Sequence, residues 1–113
     1  MRFTTLPVLA CAAGLLAASH GSARADDAVV EVRIKDHRFT PSELHVPSGT
    51  AVRLVIINED PTAEEFDSHA LKVEKVIAGG KSGSVRIRAL APGRYPFVGE
   101  YHEDTAKGVV VAD

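Results

Sequence analysis

The chain has 113 residues, 13 basic and 15 acidic side chains, and a hydrophobic content of 45%. This length and composition fit one small globular domain and exclude a multidomain enzyme. Only one long apolar stretch is present, which excludes a polytopic membrane protein. The many aliphatic side chains also argue against a disordered chain.

The first 25 residues have the three parts of a secretory signal peptide. Arg2 precedes an apolar run over residues 6–18, and Ala23 and Ala25 supply the small residues of a cleavage site. We therefore predict cleavage after Ala25, a mature domain over residues 26–113, periplasmic localisation and no stable membrane insertion after cleavage. An uncleaved anchor and a lipid on Cys11 are the alternatives.

The predicted mature domain has 11 basic and 15 acidic side chains and no cysteine, because the single Cys11 lies in the signal peptide. A disulfide framework, a thiolate nucleophile and a zinc ribbon are thereby excluded. The acidic balance argues against nucleic acid as a partner. Hydrolytic catalysis is not indicated either, since the sequence has no Gly-x-Ser-x-Gly motif.

The mature sequence has a period of two almost throughout, starting with the alternation of Val30, Val32 and Ile34 with charged residues. Pro and Gly bound most of the later apolar runs. We predict an all-β domain, an antiparallel Greek-key β-sandwich of about seven strands. The strands are expected at residues 30–35, 42–46, 50–58, 70–76, 84–88, 94–98 and 108–112.

Acidic side chains and histidines are concentrated in two segments. Residues 59–68, which we interpret as a long loop, contain five carboxylates and are followed by His69. Residues 100–104 (EYHED) follow a predicted strand and contain His102. Imidazole and carboxylate together suit Cu(II), iron and zinc. Solvated loop side chains are the alternative interpretation of both segments.

Three segments give the mature chain a clear resemblance to the cupredoxins: residues 39–44 (FTPSEL), residues 46–49 (VPSG) and residues 92–97 (PGRYPF), the last running into the loop with His102. The resemblance implies a copper site at one end of a sandwich. On the cupredoxin pattern, His69 takes the first histidine position and His102 the second. Gly99 then stands at the cysteine position and Ala106 at the methionine position.

The missing sulfur ligands rule out a blue copper centre, which depends on a copper–thiolate bond. The resemblance instead implies non-blue copper, iron or both, held by histidines and carboxylates. The turn after the first strand can reach the same end of the sandwich, which adds His37. The candidate metal ligands are His69, His102, Glu65, Glu100 and Glu103, with His37, Glu64 and Asp67 as further candidates.

A narrower resemblance rests on residues 64–68 (EEFDS), 74–77 (EKVI), 99–102 (GEYH) and 105–108 (TAKG). These are similar to the periplasmic cupredoxin-like component of bacterial ferrous-iron uptake systems. That resemblance implies help with Fe(II) oxidation, and as partners a periplasmic iron/copper-binding protein and an iron permease. A copper-holding protein without redox activity and a metal-free interaction module are the alternatives.

Overall fold

The computed structural model describes residues 27–113, which form two facing β-sheets. The predicted signal peptide, with Cys11, lies outside the described residues. The nine strands are β1 (Ala28–Lys35), β2 (Arg38–Thr40), β3 (Glu43–Val46), β4 (Val52–Asn58), β5 (Glu64–Ser68), β6 (Val73–Ile77), β7 (Ser82–Ile87), β8 (Gly93–Gly99) and β9 (Lys107–Ala112). Within this part of the chain, no helix is long and apolar enough to cross a membrane.

The predicted β-sandwich is confirmed, with two more strands than the sequence indicated. One sheet has the order β2-β1-β4-β7 and the other the order β3-β9-β8-β5-β6. Both sheets are mixed rather than purely antiparallel, because β1 pairs with β4 and β3 pairs with β9 in parallel. The chain therefore crosses between the sheets at some connections, while the consecutive pairs β1–β2, β5–β6 and β8–β9 are antiparallel.

Alternating apolar residues supply the core. In β4, Val52, Leu54 and Ile56 are fully buried, and the residues between them are more exposed. Phe97 packs between two other rings at the centre, with centroids 4.9 Å from Phe39 and 4.8 Å from Phe66. Such burial of apolar surface is the main source of stability in a domain that lacks disulfides.

The interpretation of residues 59–68 as a loop is wrong for the second half of the segment, which is a strand. Residues 64–68 form β5, which pairs with β6 on one side and β8 on the other. Glu64, Phe66 and Ser68 are buried although two of them are polar. The next strand starts at Val73 rather than at residue 70, since residues 69–72 form the turn between β5 and β6.

Candidate metal centre

Three segments meet at one end of the sandwich. The turn between β1 and β2 carries His37, the start of β5 carries Glu64, and the short 3₁₀ turn Glu100–His102 after β8 carries His102. Potential ligand atoms of these three side chains all lie within 4.8 Å of one another. Glu64 is buried, while the two histidines are half-buried. We call this set the histidine group.

Glu64 and His102 are in direct contact. Glu64 Oε2 lies 2.5 Å from His102 Nδ1. Glu64 Oε1 accepts hydrogen bonds from the backbone N–H groups of Tyr101, at 2.9 Å, and of Glu65, at 3.1 Å. A carboxylate that is only 1% exposed needs such partners, and these three hold its oxygens in a fixed orientation at the histidine group.

His37 reaches the group because the chain turns tightly between β1 and β2. Asp36 and His37 both have left-handed backbones, with φ of 52° and 56°. The buried carboxylate of Asp60 accepts hydrogen bonds from both of their N–H groups, at 2.8 and 2.9 Å. Burial by itself would raise the pKa of Asp60, but these hydrogen bonds and the nearby His37 and His102 lower it below its usual value.

Gly99 and Ala106 are the residues that the resemblance assigns to the sulfur-ligand positions of cupredoxins. The Gly99 N–H donates a hydrogen bond to the Ala106 carbonyl at 2.8 Å, so these residues face each other across the end of β8 and β9. A Cβ atom on Gly99 would lie only 2.7 Å from both the Ala106 Cβ and the Glu64 Cδ. The Glu64 carboxylate therefore lies where a larger side chain at position 99 would need space.

A second set, the carboxylate group, consists of Glu65, Glu74 and Glu100, whose nearest oxygens also lie within 4.8 Å of one another. Glu65 is buried and the other two are exposed. A side-chain hydrogen bond with Glu74 raises the pKa of Glu65 to about 7, with further contributions from burial and from Glu100. The neighbouring carboxylates therefore favour the protonated form of Glu65.

The candidates from the sequence divide between these two groups and the surface. Glu64, His37 and His102 come together in the histidine group, and Glu65 and Glu100 in the carboxylate group. His69 is exposed in the turn after β5, Asp67 lies in the same strand as Glu64, and Glu103 is exposed beyond the 3₁₀ turn. Among residues 27–113, these last three belong to neither group.

Glu74 and Asp60 were not among the predicted site residues. Glu74 is opposite Asp67 in the β5–β6 pairing, which makes it a diagonal neighbour of Glu65 on the same face. Recognition of residues 64–68 as a strand would have placed it there. Asp60 acts through backbone N–H groups, and no sequence pattern identifies such a contact.

The histidine group fits copper by the chemistry of its donors. Two imidazoles and one carboxylate form a nitrogen and oxygen set that suits Cu(II), whereas Cu(I) prefers sulfur. Among the described residues no cysteine or methionine is available, since Met1 and Cys11 precede them. A bound Cu(II) ion would act as a one-electron acceptor.

Residues 7–112 match the family model of the cupredoxin-like domain. A protein of Rickettsia prowazekii (strain Madrid E), the uncharacterized protein RP394, is 40% identical over 97 residues, which cover 84% of this chain and 78% of the relative.

Two solved structures show a similar fold. The blue copper protein auracyanin A of Chloroflexus aurantiacus has a TM-score of 0.64 at 16% identity, covering 75% of this chain and 98% of that one. The metal-binding domain of the Streptococcus pneumoniae D39 Cu(I)-exporting P-type ATPase CopA has a TM-score of 0.63 at 13% identity, covering 75% and 84%. With the family match over nearly its whole length, the chain belongs to the cupredoxin-like domain family.

Proposed function

We propose that this protein is a periplasmic copper-binding protein that assists the oxidation of Fe(II) during iron uptake through a membrane permease. The observation that carries the proposal is the convergence of His37, Glu64 and His102 at one end of a cupredoxin-like sandwich. This donor set supports a non-blue Cu(II) site, because a blue copper centre needs a thiolate ligand. The periplasmic location rests on the predicted signal peptide.

On this proposal, copper would replace the proton between His102 and Glu64. The contact between His102 Nδ1 and Glu64 Oε2 holds one proton when the imidazole donates to the carboxylate. A metal ion that takes both atoms as ligands must displace that proton. The two backbone N–H groups on Glu64 Oε1 hold the carboxylate in place and would keep it oriented if a metal replaced that proton.

The carboxylate group supports iron as the substrate, because carboxylate oxygens suit hard ions. It is also connected to the histidine group through the backbone. Glu64 and Glu65 are adjacent in β5, and Glu100 and His102 belong to the same 3₁₀ turn. Each segment thus contributes one side chain to each group. On this proposal, Fe(II) at the carboxylates would give up one electron and become Fe(III), and a Cu(II) ion held by the histidine group would accept that electron and become Cu(I).

Anaerobic mixing of the Cu(II)-loaded mature domain with one equivalent of Fe(II) tests the redox step. Loss of the Cu(II) electron paramagnetic resonance signal should match the Fe(III) formed one to one. The Glu65→Gln/Glu74→Gln variant should slow this reaction, whereas Glu103→Gln, an exposed carboxylate outside both groups, should not. The same protein loaded with Zn(II) should form no Fe(III).

A copper-holding protein without redox activity is the second candidate, favoured by the fact that the histidine group is complete without the carboxylate group. It predicts that Cu(II) stays oxidised in the anaerobic experiment. An interaction module that uses no metal predicts neither copper nor iron in protein purified from its own compartment.

The proposed partners are a periplasmic iron/copper-binding protein and the iron permease. The resemblance to ferrous-iron uptake components supports them. Chemical cross-linking in intact cells, followed by identification of the linked proteins, tests this part of the proposal. An absence of both partners among the cross-linked proteins would contradict it.

A further inference from the structure

The turn that carries His37 is unusual for its sequence. Lys35 pairs with Arg38, so Asp36 and His37 alone connect β1 to β2. Both residues have positive φ, as in a type I′ hairpin turn. Asn and Gly adopt this conformation most readily. A histidine in this conformation persists only where the surrounding structure holds it.

Asp60 provides that support. Its carboxylate is 7% exposed, and its two oxygens accept the backbone N–H groups of Asp36 and His37 separately. Consecutive N–H groups that converge on an anion form a compact anion-binding turn. Asp60 Oδ2 also lies 3.4 Å from His37 Nδ1.

Asp60 is itself fixed by the core. Its N–H donates to Asn58 Oδ1 at 3.0 Å, and its carbonyl accepts the Gly80 N–H at 2.9 Å. Asn58 is 1% exposed and ends β4, so this support begins in an interior strand of the sheet. The turn has a further contact of its own, because Thr105 Oγ1 donates a hydrogen bond to the His37 carbonyl at 2.6 Å.

We propose that Asp60 is a positioning residue for copper binding, which holds the Asp36–His37 turn in its left-handed form so that His37 can serve as a ligand. This inference rests on the proposed copper site. Loss of the Asp60 carboxylate releases both N–H groups, the turn relaxes, and the imidazole of His37 moves out of reach of His102 and Glu64. Groups that orient metal ligands in this way typically change affinity by about 10–100-fold.

The test counts imidazoles on bound Cu(II). Pulsed electron paramagnetic resonance of the Cu(II)-loaded mature domain should detect two imidazoles in wild type and one in His37→Ala. Asp60→Asn, which keeps the size of the side chain but cannot accept both N–H groups, should also show one. Its Cu(II) affinity, measured by competition titration, should fall by about tenfold or more.

Double variants separate positioning from a general loss of stability. Asp60→Asn/His37→Ala should bind Cu(II) no more weakly than His37→Ala alone, because the two changes remove the same ligand. Asp36→Gly/Asp60→Asn should regain part of the affinity, since glycine accepts a positive φ without support. Asp67→Asn, at an aspartate outside both groups, is the matched control and should keep two imidazoles.

Two results distinguish the inference from the proposed function. Fewer than two imidazoles in wild type would overturn the proposed ligand set. Two imidazoles in wild type and also in Asp60→Asn, with unchanged affinity, would overturn the role of Asp60 and leave the copper site intact. If the amide NMR spectrum of Asp60→Asn shows that the variant is unfolded, the smaller Asp60→Ser replaces it. The expected and the contradicting results stay the same.

Discussion

The imidazole rings of His37 and His102 lie face to face, with centroids 3.6 Å apart and planes inclined by 13°. The lone pair of an imidazole nitrogen lies in the plane of its ring, so two nearly parallel rings do not point at a common ion. One ring must turn for both to bind. The side chain of His37 is 43% exposed against 28% for His102, which makes His37 the ring with more room to turn.

Removal of either histidine should weaken Cu(II) binding. We expect His37→Ala and His102→Ala each to lower the affinity by at least about tenfold, or roughly 1.4 kcal/mol, because each deletes one imidazole of the proposed copper site. Isothermal titration of the mature domain measures this. His45→Ala is the control, since His45 is exposed and its Nδ1 lies 3.2 Å from Asp113. Equal affinities in wild type and His102→Ala would contradict the site.

His102→Ala should also affect the metal-free protein. The variant leaves the buried Glu64 with its two backbone partners only. Losing one partner of a buried polar group costs about 1–3 kcal/mol, so the unfolding midpoint in urea should fall. An unchanged midpoint would mean that solvent replaces the imidazole without cost.

Glu64 and His69 are alternative candidates for the third copper ligand, beside His37 and His102. The cupredoxin pattern in the sequence assigns His69 to the first histidine position, whereas the structure brings Glu64 to His102 and leaves His69 exposed. We expect Glu64→Gln to lower Cu(II) affinity by about tenfold, because the amide is a weaker ligand than the carboxylate. His69→Ala should change it by less than about twofold. The reverse ranking in competition titrations would restore His69 to the site.

The copper complex should be almost colourless. An intense visible band comes from copper–thiolate bonding, and residues 26–113 contain no cysteine. Visible absorption of the untagged mature domain with one equivalent of Cu(II) should show only weak bands. A strong blue colour would exclude the nitrogen and oxygen ligand set.

Gly99 should tolerate no side chain. Its φ of −90° is ordinary, so any effect of Gly99→Ala comes from the close approach of the new Cβ to Ala106 and Glu64 rather than from the backbone. Overpacking of this kind costs about 1–3 kcal/mol, and displacement of Glu64 should weaken Cu(II) binding at the same time. Urea unfolding and copper titration measure both effects. Gly83→Ala, whose Cβ would meet only side-chain atoms, of Ile77 at 3.3 Å and of Lys75 at 3.5 Å, should cost less and leave copper binding unchanged.

Glu65 should make stability depend on pH. Its pKa is raised from 4.5 to about 7, first by the hydrogen bond with Glu74 and then by burial. The folded protein therefore keeps a proton that the unfolded chain releases. This contribution to stability is fully present below pH 4.5 and is lost as the pH rises through about 7.

In Glu65→Gln the neutral amide removes this dependence. The variant should gain stability relative to wild type between pH 4.5 and pH 8, measured by urea unfolding with a chelator present. Glu103→Gln should follow the wild-type profile. Parallel profiles for Glu65→Gln and wild type would show that the Glu65 carboxyl titrates as it does in the unfolded chain.

The sequence predicts the sandwich because Val, Leu and Ile alternate with polar residues in most strands. It fails at β5, where the sequence EEFDS lacks that alternation and resembles a solvated loop. Glu64 is buried only because the backbone of Tyr101 and the ring of His102 provide partners from a segment 37 and 38 residues away. Most of the donor residues are recognisable in the sequence, but which of them face one another depends on contacts between segments far apart in the chain.

The left-handed turn at Asp36 and His37 places two demands on one position. Glycine at residue 37 would adopt the positive φ without a steric penalty, whereas histidine adds a ligand atom at a cost to the fold. A variant library selected only for survival at high temperature should therefore accumulate glycine at residue 37. The same library selected for copper retention should keep histidine. Selection for stability and selection for copper binding therefore favour different side chains at residue 37.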